Sequence, residues 1–215
     1  MTDWLRAALR ETWRLVAGVT RRPVETYEKI ARVPSPRGAV VFIGGLALVA
    51  AGASAAVAVA AGSGPARAAV GFVLWGPVGV FGVYLAASAV IWLVGRALGS
   101  QATFEAFLTA WAGSYVPTAA WFAGLTLFHV LFVPSGFLDP SAVGGVAGPV
   151  VVQVVFLAFS VAAFLWKALL LYLTLRVVGG LDFRRIVAAA AILAPVAIGY
   201  WLLGLSLGWF KVPLI

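Results

Sequence analysis

Few residues in this chain could do chemistry. Lys167 falls inside an otherwise charge-free apolar stretch, where an ionisable side chain is by default a candidate for function, here in transport or partner binding, unless its charge is simply accommodated locally. No Asp or Glu shares its depth: Glu105 and Asp182 stand at the starts of their helices, where an acid complements the helix N-terminus. The only histidine, His129, could face Gln153 across two helices, but a lone imidazole without a carboxylate neighbour makes no acid and base pair. The chain has no cysteine, which removes disulfides, thiolate metal sites and thiol catalysis. No metal centre, no cofactor and no catalytic residue is therefore expected. The second notable group is N-terminal: Arg6, Arg10 and Arg14 recur at four-residue spacing, Arg21 and Arg22 follow, and Trp4 and Trp13 stand among them. On one helix this pattern is a lipid- or partner-docking surface.

The elements that hold these residues follow from composition. The chain has 215 residues, 63% hydrophobic and 10% charged, against about 25% charged in soluble domains. Residues 38–66, 68–95, 106–138, 140–166 and 186–210 lack Asp, Glu, Lys and Arg, and each exceeds the ~20 residues needed to cross a bilayer. An apolar span must satisfy its own backbone, and the alternating ten-residue strands of a closed barrel are absent, so these runs predict helices. We place them at 38–61, 69–95, 106–132, 149–177 and 185–209. The expected fold is all-α, a polytopic transmembrane bundle of five helices (38–215) behind an amphipathic cytoplasmic segment (1–37). That segment shows no apolar core followed by small cleavage-site residues, so no secretory signal is expected.

Charge gives the orientation. Twelve of the fifteen Lys and Arg precede the first span or lie in the second-to-third and fourth-to-fifth connections, two (Arg67 and Lys211) lie opposite, and Lys167 is inside. Positive charge stays cytoplasmic, so the N-terminus is expected inside and the C-terminus outside. The net charge of +8 then speaks for an anionic inner leaflet and against nucleic acid. Residues 134–149, rich in Gly and Pro, form the largest external connection. Within 4–17, Trp4, Leu5, Ala8, Leu9, Thr12, Trp13, Val16 and Ala17 are expected on one face and the arginines on another. This helix either senses lipid, docks a partner or simply anchors the bundle. A second short helix starts at Pro23, with Val24, Tyr27 and Ile30 as its apolar side. Gly95 with Gly99, Gly204 with Gly208, and Ala47, Ala51 and Ala55 fit spacings that allow close helix contact or a homo-oligomer.

The stretch GRALGSQATFEAFLTAWAGSYVP (95–117) lies on LRVVGGLDFRRIVAAAAILAP (175–195) with two one-residue gaps. The pairing matches Arg96 with Arg176, Gly99 with Gly179, Phe104 with Phe183 and Pro117 with Pro195. Helices 2 and 3 would then repeat in parallel as helices 4 and 5, about an axis along the membrane normal. Lys167 lies about nine residues before Arg176, so its amine would snorkel to the surface, meet a carbonyl freed by Pro117 or Pro195, or serve a function.

Through these residues the chain resembles the Yip family, five-span membrane proteins named for interaction with Rab-type GTPases. The resemblance rests on PVETYEKIARVPSP (23–36), GRALGSQATFEAF, GSYVP and WKALLLYLTLRVVGGLDFRR. The acidic DLYGP of eukaryotic members is absent before the first span, and LWGP at 74–77 stands inside helix 2. The resemblance implies a prokaryotic-type member in the plasma membrane, non-enzymatic, that organises lipid or membrane-protein partners. The alternative from the residues is a conduit for a small solute or ion.

Overall fold

The computed structural model describes residues 2–60, 69–70, 74–132 and 150–206. Every element among them is helical. Helix α1 is Thr2–Arg21, α2 is Pro23–Arg32 and α3 is Pro36–Ala60. Helix α4 starts as a π-wound stretch, Leu74–Gly82, and continues as Val83–Ala97. Helix α5 is Phe104–Gly113 and, past a turn at Ser114, Tyr115–Phe132. Helix α6 is Val150–Leu173 closed by a π turn, Thr174–Val178, and α7 is Phe183–Ser206. Arg67, Lys211, Gly208, the connection 134–149 and the side chains of His129, Gln153, Ala55 and Gly204 lie outside the described residues.

Three described stretches are long and apolar enough to cross a bilayer, Val78–Ala97, Leu157–Val178 and Phe183–Tyr200, and a shorter apolar helix runs over Pro36–Gly52. Their buried share is small: α6 exposes Leu157, Phe164 and Leu165, and α7 exposes Ile192, Val196 and Ile198. In water such faces would aggregate, whereas in lipid they meet hydrocarbon as apolar as themselves.

The core joins the N-terminal helices to the bundle. Leu15 and Val19 of α1, Tyr27 and Ile30 of α2, and Ala39, Ile43 and Ala47 of α3 share one cluster with Tyr84, Tyr115 and Leu170. Tyr27 is fully buried, and its hydroxyl donates to the Ala110 carbonyl at 3.0 Å. Burial pushes this phenol well above its ordinary pKa, with the Thr174 hydroxyl opposing the shift, so it stays a neutral donor. Tyr84 likewise donates to the Leu108 carbonyl at 2.8 Å, locking α4 onto α5.

The break in α5 has an identifiable cause. Pro117 has no N–H for the Gly113 carbonyl, and its ring would clash there in a continuous helix. The chain instead tightens at Ser114, whose amide and hydroxyl both donate to the Trp111 carbonyl, at 3.0 and 2.7 Å.

Candidate functional site

The two Gly turns predicted as a repeat stand against each other. After α4, Gly99 takes φ +95° and the Ser100 amide donates to the Gly95 carbonyl, closing a Schellman turn. After α6 the left-handed residue is Gly180 (φ +64°), one position beyond the Gly179 matched to Gly99 in sequence. The Leu181 amide donates to Leu175, one residue farther back than in the first turn, because the π winding of Thr174–Val178 absorbs an extra residue. The arginines repeat the offset. Arg96 donates to the Ser100 carbonyl and Arg176 to the Leu181 carbonyl, each across its own turn. The next helices are capped alike, Thr103 accepting from the Ala106 amide and Asp182 from the Arg185 amide. Glu105 stands in the first turn of α5 without capping it. Phe104 packs edge-on against Trp92, whereas Phe183 is exposed; Pro117 is buried, and Pro195 is exposed within α7.

The N-terminal arginines and tryptophans are arranged on α1 as three flanks, not the two faces expected. Ala8, Leu15 and Val19 form the buried flank against the bundle. Leu5, Leu9 and Trp13 follow it around the helix and are exposed, Trp13 by 70%. Arg6, Arg10, Arg14 and Arg21 make the third flank, also exposed. Trp4, exposed, lies on the far side of the buried flank, and Arg22 pairs with Glu25 at 3.3 Å. The close approach of α1 to α3 is made at Glu11 and Thr12, which lie against Gly38, while the bulky Leu5, Leu9 and Trp13 stay outside.

Lys167 neither snorkels nor meets a proline-freed carbonyl. Trp111, Tyr115 and Thr118 recur on one side of α5 around its break, and all three point at the amine. Lys167 Nζ donates to Thr118 Oγ1 at 3.2 Å and lies 4.8 Å from the Tyr115 ring centre and 5.7 Å from that of Trp111. Ring faces attract a cation, but they do not neutralise it, and no carboxylate pairs with Lys167 among the described residues. The amine lines a cavity of about 670 Å³ between α4, α5, α6 and α7. Trp121 Nε1, donating to Ser160 Oγ at 2.9 Å, adds a polar pair to an otherwise mainly apolar wall. Sequence reasoning singled out the lysine but missed its aromatic partners, whose spacing on α5 was the available signal. The described residues contain no cluster of His, Asp and Glu able to hold a metal.

No curated protein and no solved structure matches the chain. The Yip1 domain matches residues 17–206, from the last turn of α1 to the end of α7. An all-helical, lipid-exposed bundle with that match over most of its length is an integral membrane protein, and the chain belongs to the Yip1 domain family.

Proposed function

We propose that this is a non-catalytic, five-span membrane protein, N-terminus in the cytoplasm, that organises anionic lipid at its basic cytoplasmic end. The observation that supports it is the three-flanked α1. One flank is committed to the bundle, one offers Leu5, Leu9 and Trp13 to the acyl boundary, and one offers four arginines to headgroups. Each basic residue near an anionic surface contributes about 1 kcal/mol. Changing Arg6, Arg10 and Arg14 together to Gln is expected to lower co-purifying anionic lipid several-fold, read by mass spectrometry, with melting unchanged. Unaltered lipid content would remove the lipid-organising role.

The orientation is supported by the packing of α2 against the π turn of α6, which brings the basic N-terminal segment to the same end of the bundle as Arg96, Arg176, Arg184 and Arg185. Single cysteines replacing exposed Arg32 or Asp182 are expected to be protected from an impermeant thiol reagent in intact cells, while one replacing Ser141 is labelled. The reverse pattern would invert the topology. A conduit for a small solute is favoured by one observation, the cavity at Lys167, and solute flux into vesicles of the purified protein would identify it.

A further inference from the structure

From the cavity at Lys167 we infer a binding site for a single-chain amphiphile with an anionic head, a carboxylate or a phosphate. This goes beyond lipid organisation at α1 and involves none of its residues. Three features of the site point to this ligand chemistry.

The first is a cation that no carboxylate among the described residues compensates. Lys167 stands near the middle of the Leu157–Val178 span, where an isolated Lys is costly to hold. Thr118 supplies one hydroxyl acceptor and the rings of Tyr115 and Trp111 supply polarizable faces, but among the described residues no carboxylate closes the pair. An ammonium has three donors, of which the described residues engage one, so an anionic head has donors to accept from. The second is the wall. Val83, Ala87, Ala163, Phe164, Leu193 and Ala197 surround the amine with apolar surface suited to an acyl chain. At about 670 Å³ the space falls within the ~300–1,000 Å³ of small-molecule sites.

The third is access. Val196 and Ala197 of α7 line the cavity and are also exposed on the apolar outer surface, so this helix joins the cavity wall to the hydrocarbon-facing side of the bundle. A hydrated small ion would have to shed its water to arrive by that route, whereas an amphiphile is already dissolved in the bilayer. Its chain follows the apolar wall and its head meets Lys167, each part placed where its desolvation is offset.

The test uses the whole purified protein in nonionic detergent, with native mass spectrometry against oleate, oleyl phosphate, oleyl alcohol and inorganic phosphate. Oleate or oleyl phosphate is expected to bind, and oleyl alcohol and inorganic phosphate to bind far more weakly. Truncating one side of a buried charge pair costs about 2 kcal/mol or more, so Lys167→Gln is expected to weaken the bound amphiphile by at least about 30-fold. Lys167→Arg should retain it, which separates loss of charge from loss of fold. Ala163→Trp, filling the cavity while leaving the amine, should exclude it. The inference is overturned if neither anionic amphiphile binds, if oleyl alcohol binds equally well, if inorganic phosphate alone competes, or if Ala163→Trp has no effect. None of these outcomes bears on the α1 arginines, so the lipid-organising reading stands or falls separately.

Discussion

Replacing Gly38 by valine is expected to release α1 from the bundle. Gly38 lies where α3 crosses α1. A Cβ there would stand 2.8 Å from Glu11 Cβ, 2.9 Å from the Glu11 carbonyl carbon and 3.0 Å from the Thr12 nitrogen. Two of these neighbours are backbone, so no side-chain rotation relieves the contact and the helices must separate. Separation also breaks the bond from Thr12 Oγ1 to the Gly38 carbonyl (2.9 Å) and strains that from Ser35 Oγ to the Glu11 carboxylate. Overpacking of this kind costs about 1–3 kcal/mol and a lost hydrogen bond about 1 more. Together they exceed what a short helix held by Ala8, Leu15 and Val19 readily absorbs. Limited trypsin digestion checks it: cleavage at the arginines of α1 should accelerate at least tenfold in the variant while the bundle stays resistant. Equal digestion of variant and parent would mean that α1 is not held at this crossing.

Helix placement was legible because a lipid-facing segment must satisfy its own backbone, so the apolar runs state their structure locally. Predictions of 38–61, 106–132 and 149–177 meet Pro36–Ala60, Phe104 to Phe132 and Val150 to Val178. The flanks of α1 were not legible. Ala8 and Trp13 both read as apolar, yet Ala8 is buried and Trp13 exposed, and the contact that seats α1, Glu11 and Thr12 against Gly38, joins residues at least 26 apart in sequence. The turn glycine was missed by one position for a related reason. Gly179 and Gly180 are adjacent and chemically identical, and the choice is made by a π turn that a string of letters does not record. The surroundings of Lys167 come from α5, 49 residues away at Thr118, through a break that Pro117 dictates and hydropathy does not register.

The second large effect concerns Phe107, which is fully buried where the two Gly turns meet. Its ring lies under both: a Cβ on Gly95 would come within 2.9 Å of Phe107 Cζ, and one on Gly179 within 3.2 Å of the same atom. Ile91, Leu175, Leu181 and Ile186 complete the cluster around it. Arg185 closes the contact from the other side, since a Cβ on Gly99 would lie 3.0 Å from its guanidinium. Phe107→Ala is expected to cost about 3–5 kcal/mol, read as a lowered midpoint of unfolding in mixed micelles. The magnitude alone would not distinguish a wedge from any buried ring, but coupling does. Gly95→Ala should be costly in the parent and much less so alongside Phe107→Leu, because the shortened side chain vacates the space its Cβ needs. Gly179→Ala should remain costly in both backgrounds, since its Cβ also meets the Leu175 carbonyl oxygen at 2.7 Å, which Phe107 does not control. Contacting residues show coupling of about 0.5–3 kcal/mol in such cycles. Strict additivity of Gly95→Ala with Phe107→Leu would mean that the ring does not join the turns, and that the shared end of α4 and α6 is held by their arginine-capped carbonyls instead.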